Sequence, residues 1–340
     1  MAWKFDGAAS QQNDTLTLVD KILSNGHAGL LDLNLNQSMQ VLESGTFINP
    51  LADYSSFCII GMPKEGQTLD EVKHLLLSEI DKLKQGAFAD DLLLSILNNY
   101  KREYYQSLQS NRSRVSMFTD AFINGQKWED VVNKLNRLTK ISKQDIIAFA
   151  NRHFKDNFVC VYKKQGEDTT QKKIDKPQIT PIPSNRNESS AFLNNIRNTH
   201  TTPIQPKFLD FKRDLTFTKT KKKLPIVYKH NSEDGLFNLI LTWDFGTTAN
   251  KEYDEACNYI EYLGTSKKSA KDFKRELYKL ACSLYISAKP RNITINLSGL
   301  DENMPKALQL LNELMTDSKP DTAAYKQYVA LVLKARQDNK

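Results

Sequence analysis

The clearest hydrophobic rhythm in the chain lies between Leu69 and Leu83. Leu69, Val72, Leu76, Ile80 and Leu83 recur at helical spacing and form one apolar stripe. Thr68 and Glu71 stand ahead of it with the spacing of a capping box, and Gly86 is placed to end the helix. The same rhythm, less clean, runs through Thr15–Leu35, where Leu16, Leu18, Val19, Ile22 and Leu23 precede a break at Asn25-Gly26 and Leu30, Leu31 and Leu33 follow it. Further helical patterns cover Asp90–Gln109, Arg112–Ile123 and Glu129–Leu135. Another, started by Ser142 with Asp145 three residues on, runs to Phe154. Ala2–Phe5, Gln40–Ile48, Tyr54–Gly61 and Asn157–Lys163 have strand character. The order is β-α-β-β, a run of helices, then β. Strands that follow one another without a crossover favour antiparallel pairing, with helices on one face.

The pattern changes from Lys164 to Pro206. Pro177, Pro181, Pro183, Pro203 and Pro206 fall among polar residues, with little periodicity beyond Phe192–Ile196. A stretch of this length without periodicity is too long for an internal loop and predicts an interdomain tether. Strands then resume at Asp214–Thr218, Leu224–Tyr228, Leu236–Phe245 and Ile293–Leu297. Helical patterns occupy Glu252–Leu263, Ser269–Leu280 (capped by Ser269 with Asp272), Met304–Met315 and Thr322–Arg336. The expected architecture is α+β in two domains, 1–163 and 207–340, each an antiparallel sheet covered by helices on one face, joined by the tether 164–206. The first strand starts without lead-in and the second domain lacks a closing strand, so the chain reads as a piece of a longer polypeptide, with the second domain truncated.

Composition narrows this picture little. The 340 residues are 40% hydrophobic and 26% charged, ordinary for a soluble globular protein. No apolar run approaches the ~18 residues of a membrane span. The start has no signal-peptide pattern, but with the natural start expected upstream the compartment is left open. The net charge is +7, yet basic residues are spread through both halves. The one dense cluster, Lys219–Lys223, reads as a solvated turn, which speaks against a nucleic-acid partner. Cys58, Cys160, Cys257 and Cys282 include no C-x-x-C pair and read as buried apolar thiols.

Candidate chemistry is sparse. No two of the five histidines share the spacing that would aim two imidazoles at a metal from one helix face. His74 and Glu79 point in different directions, and His153, ending a helix, suits the dipole there. The Asp90-Asp91 pair is explained in the same way by a helix start. Nucleophile-elbow and phosphate-loop motifs do not occur. The residues alone assemble no complete active site.

One stretch says more. Trp243-Asp244-Phe245-Gly246-Thr247-Thr248 ends a strand, Asp254-Glu255-Ala256-Cys257-Asn258-Tyr259-Ile260-Glu261-Tyr262-Leu263-Gly264-Thr265 makes a helix and a turn, and Ser269-Ala270-Lys271-Asp272-Phe273 starts the next helix. This order resembles the metal-binding region of the insulinase/pitrilysin-type zinc metallopeptidases, the inverzincins, whose helix carries H-x-x-E-H. In that family the two His bind zinc and the Glu activates water. The three positions fall here on Asn258, Glu261 and Tyr262, and only the Glu matches. The family's third ligand, a Glu on a later helix, has no counterpart in Ser318–Lys340, which contains no Glu. The resemblance therefore implies a degenerate repeat with no catalytic, cofactor-binding or metal-ligating residue in this chain.

It extends to most of the chain. Ile22-Leu23-Ser24-Asn25-Gly26 with Gly29-Leu30-Leu31, the two strands and the long helices look like the second domain of such a peptidase's N-terminal half. The tether looks like the segment joining the two halves, and 207–340 like the start of the C-terminal half. The resemblance implies a fold of the mitochondrial-processing-peptidase type. It implies zinc and peptide substrate in the parent protein, with a missing catalytic domain of the same polypeptide as partner. A non-enzymatic structural or assembly subunit of the same fold is the alternative.

Overall fold

The computed structural model describes residues 1–164, 166, 175–182 and 184–338, so parts of the expected tether lie outside the described residues. Residues 1–162 and 231–340 form one compact unit, and 163–230 a second, smaller one.

Strands β1 (Ala2–Asp6), β2 (Glu43–Pro50) and β3 (Tyr54–Met62) make an antiparallel sheet in the order β1-β3-β2. Register places Trp3 opposite Phe57. Both rings are buried, and each meets Phe154 edge-on, at 5.1 and 5.2 Å between centroids. The Trp3 indole N–H is not left unpaired in this apolar setting, since it donates to the Lys155 carbonyl at 3.0 Å. Asn157–Lys163, expected as a closing strand, makes only a single bridge in which Ala2 and Val159 exchange hydrogen bonds of 2.9 and 3.0 Å. Val159 and Val161 are both exposed, so the apolar alternation there has no surface to bury against.

Helices α1 (Gln12–Leu23), α2 (Leu69–Lys84), α3 (Leu92–Leu108), α4 (Asn111–Ile123), α5 (Trp128–Val132), α6 (Lys134–Leu138) and α7 (Lys143–His153) complete this part. The second half of the first helical pattern is a π-helical turn, Asp32–Asn36, rather than a continuation of α1. The carboxylate of Asp32 explains the break: it accepts from the backbone N–H of Asn25 and Gly29 at 2.8 and 3.1 Å, fixing a loop between the two pieces. The capping box of α2 forms as expected, with Glu71 N–H donating to Thr68 Oγ1 at 3.2 Å and Thr68 N–H to Glu71 at 2.7 Å. Gly86 follows with φ +68°, a left-handed conformation that glycine adopts without strain. Ser142 and Asp145 cap α7 in the same way. Asp14 on α1 and Arg137 on α6 form a two-pronged ion pair, 2.6 and 3.4 Å, with Asp14 buried.

The smaller unit contains α8 (Ala191–Asn198), α9 (Phe211–Asp214) and a hairpin of β4 (Thr216–Lys219) and β5 (Pro225–Tyr228). The lysine cluster forms the exposed hairpin turn, as a solvated reading requires, with Lys223 at φ +65°.

The remaining elements are β6 (Leu236–Trp243), α10 (Glu252–Ile260), β7 (Gly264–Thr265), α11 (Ala270–Lys279), β8 (Cys282–Ala288), β9 (Ile293–Leu300), α12 (Met304–Asp317), β10 (Ser318–Lys319) and α13 (Thr322–Asp338). An antiparallel sheet of order β6-β9-β8 buries Ile286, Ile295 and Leu297 against Phe273, Leu277, Leu310, Leu311 and Leu314 of α11 and α12. Strand β8 was not anticipated. It starts one residue after the cap of α11, where Ala281 takes φ +49° and turns the chain abruptly. Gly299 lies opposite, and a Cβ there would stand 2.5 Å from Cys282 Sγ. The protein is thus mixed helix with antiparallel sheet.

The first helical layer meets the later part of the chain along α3 and α11. Asn99 is buried and donates to the Tyr278 carbonyl at 2.7 Å and to Ser95 at 2.8 Å. Tyr278 joins the hydrophobic core of the first part. Asp91, expected only to complement a helix start, instead pairs with Lys279 at 2.6 Å and Arg275 at 3.4 Å. Those bonds, the one to Lys279 foremost, hold its carboxyl below the usual carboxylate range.

Candidate functional site

Helix α10 is short because its stripe of burial is narrow. Cys257 is its one buried residue, and Glu252, Asp254 and Glu255 load the first turn with the charge that its dipole favours. Asn258, Glu261 and Tyr262 all lie on its exposed side or just past its end. The structure engages them through two shared neighbours, Lys274 and Tyr328. Glu261 faces Lys274 of α11 at 3.8 Å. Tyr262 also receives Lys274, whose ammonium sits 5.6 Å from the ring centroid. Its other neighbour is Tyr328 of α13, 5.5 Å away between centroids. Asn258 lies near the phenol of that same Tyr328 and draws its affinity for a proton downward.

Tyr328 is the centre of the arrangement. It is buried, and its hydroxyl donates to the carboxylate of Glu255. Burial first, and then that carboxylate, push its phenol up to about 12. Tyr259 completes the group. Its ring packs at 5.4 Å from Tyr325 and 6.1 Å from Tyr328, while its hydroxyl donates to the Asp321 carbonyl at 2.8 Å and accepts the Asp321 N–H at 3.2 Å. Four phenols, Tyr259, Tyr262, Tyr325 and Tyr328, line the contact between the end of α10 and α13, with Tyr262 and Tyr325 exposed.

These residues do not fit zinc. Structural and catalytic zinc sites draw on thiolate, imidazole and carboxylate donors. Here the two positions that would supply imidazoles carry an amide and a phenol, both engaged with Tyr328. The one matching carboxylate, Glu261, is turned to Lys274. Among the described residues no group of three or more His, Cys, Asp or Glu side chains could hold a metal ion. No hydrolytic step can be derived from this geometry.

The partners on α13 escaped the sequence reading, although a signal was present. Tyr325 and Tyr328 are three residues apart on one face of α13, and Tyr259 and Tyr262 have the same spacing across the end of α10. The other candidate groups resolve simply. Cys257 and Cys282 are buried as expected, whereas Cys58 and Cys160 are only half-buried, and all four are free thiols. The Cys282 thiol is pushed up to about 11 by burial. His153 does not gain from the helix end. Burial, and then Arg152, lower its affinity for a proton.

No protein-family model and no curated protein matches the chain. Solved structures do resemble it. One is a protease from Helicobacter pylori, 19% identical, with a TM-score of 0.44 over 46% of this chain and 38% of that one. Another is the periplasmic protease PqqL from Escherichia coli, 12% identical, with a TM-score of 0.35 over 99% of this chain and 40% of that one. A third, described as the inactive peptidase domain of a zinc protease from Bordetella parapertussis, is 17% identical, with a TM-score of 0.38 over 46% of this chain and 85% of that one. This chain therefore spans about two fifths of the length of the first two. All three neighbours are described as proteases or a peptidase domain, and the third as part of a zinc protease.

Proposed function

We propose that this chain is a non-catalytic part of a zinc-dependent metallopeptidase that hydrolyses peptides inside a two-halved chamber. In this reading residues 1–163 are the second domain of the N-terminal half, 164–206 the tether, and 207–340 the start of the C-terminal half. Zinc belongs to a catalytic domain of the parent protein, outside this chain. The chain supplies wall and contacts. A chamber restricts access to peptides small or unfolded enough to enter, so a wall shapes activity without touching the reacting bond.

The observation that supports it best is the use made of the motif helix. Tyr328, Tyr262 and Tyr259 occupy the region beside α10, and Glu261 is engaged with Lys274. A helix that keeps the family's order while its chemistry-bearing positions serve packing is suited to a structural repeat. A non-enzymatic assembly subunit of the same fold would have the same helix and remains the second reading.

The test is a peptidase assay of the 340-residue chain on quenched unfolded peptides, with zinc added. No turnover above buffer is expected. Turnover that disappears in Glu261→Gln would overturn the proposal, because it would make the one matching carboxylate a working base.

A further inference from the structure

A cavity of about 360 Å³ opens where the loop after α1 and helix α3 meet α11 and β8. Its size falls in the range of small-molecule sites. Its two sides differ in chemistry. One side is apolar, built from Ile260, Phe273, Leu277, Ile286 and Leu314, of which Phe273, Leu277 and Ile286 are buried core residues. The other side carries His27, Gln37, Arg102 and Ser283, and the lining also includes the paired Lys274 and Glu261.

Arg102 is the residue in this cavity that packing does not explain. A guanidinium has five donors. The Arg102 Nη1 donates to Ser283 Oγ at 2.8 Å, and its Nε is enclosed with no hydrogen-bond acceptor. Among the described residues no carboxylate lies within ion-pair distance of it. The cavity's other cation, Lys274, already faces Glu261 at 3.8 Å. Burial lowers the affinity of His27 for a proton. A half-enclosed cation with unmet donors is costly unless an anion meets it. A planar carboxylate is the group whose geometry fits such a fork.

We propose that this cavity binds a small aliphatic carboxylate, with the carboxylate on Arg102 and the hydrocarbon tail laid along Phe273, Leu277 and Ile286. The apolar wall selects for a chain, and the single unmet guanidinium selects for one negative head. The cavity borders the end of α10, with Glu261 and Lys274 in its lining, and its binding does not depend on the peptidase reading: ligand can bind whether or not any peptide is cut.

The probe is decanoate below its micellar concentration, titrated calorimetrically into the 340-residue chain. The neutral decanol and the cationic decyltrimethylammonium serve as tail-matched controls that need no variant. Decanoate is expected to bind at one per chain, at least tenfold more tightly than either control. Arg102→Gln, checked for an unchanged circular-dichroism spectrum, is expected to lose at least tenfold in decanoate affinity and to leave decanol binding as it was. Equal affinity for decanoate and decanol would overturn the proposal, as would an Arg102→Gln chain that binds decanoate like the parent. Absence of binding at millimolar decanoate would also overturn it. Tighter binding of N-acetyl-leucyl-leucine than of decanoate would reassign the cavity to peptide carboxyl termini and so contradict it.

Discussion

At the scale of single residues, the most informative side chain is Tyr328. Its hydroxyl meets Glu255, and its ring separates Tyr259 from Tyr262. Tyr328→Phe removes one hydrogen bond to a charged group and is expected to cost about 1.5–3 kcal/mol in urea unfolding. The pH dependence follows from its phenol, which is raised from the usual 10 to about 12 in the folded chain. Between those values the unfolded chain has released a proton that the folded chain still holds, so stability falls as pH rises through this window. The fall should be shallower in Tyr328→Phe than in the parent, and equal slopes would count against a buried, carboxylate-bound phenol. Asp20 provides a second case. It is buried, its Oδ1 has no partner, and burial raises its carboxyl above the ordinary value. The unfolded chain therefore loses this proton first, and the ionised form weighs against folding as pH rises above about 4. Asp20→Asn is expected to raise the melting temperature at pH 7 and to change it little at pH 3.

At the scale of elements, α1 and α6 are joined by a partly buried ion pair beside their apolar packing. Asp14 is buried beneath Arg137, and the contact draws the guanidinium's affinity for its proton upward. Removing the cation alone leaves a buried carboxylate, and Arg137→Met should cost about 3 kcal/mol, measured by urea unfolding. Asp14→Asn combined with Arg137→Met should recover part of that loss. The helices were legible in the sequence wherever a cap and a stripe agreed. Thr68 with Glu71, Ser142 with Asp145 and Ser269 with Asp272 all start helices where their spacing says they should. What escaped was governed by partners distant in the chain. Asp32 folds back on Asn25 and Gly29 and fixes the break that the sequence marks at Asn25-Gly26, but the π-helical form of Asp32–Asn36 was not legible. Cys282–Ala288 becomes a strand because β9 lies beside it, and Val159 does not because only Ala2 does. The start of helix α10 was legible, at Glu252, though the helix ends at Ile260 rather than Leu263. Its true neighbours, Tyr325 and Tyr328, arrive from α13 and could not be placed without the fold.

At the scale of the whole molecule, residues distant in sequence are held together by a short list of polar contacts. Asn99 reaches the Tyr278 carbonyl, and Asp91 reaches Lys279 and Arg275. The Asp91 pairs are partly exposed, so together they are expected to contribute about 1 kcal/mol or less, and less at high salt. Asn99→Ala should cost more, about 1–3 kcal/mol, because it removes a buried donor from a packed site. The polar, Pro-rich stretch predicts where the chain is most open to attack. Brief protease treatment should cut first between Lys164 and Lys207, and early cleavage within Thr68–Gln85 would contradict this division of the chain.

On the proposed function, the positions Asn258, Glu261 and Tyr262 hold no zinc. Elemental analysis of the purified 340-residue chain, exposed to zinc and then dialysed against a mild chelator, tests it most directly. The arrangement of Asn258, Tyr262 and Tyr328 predicts far less than one zinc per chain. One chelator-resistant zinc per chain, lost in Glu261→Gln, would contradict it.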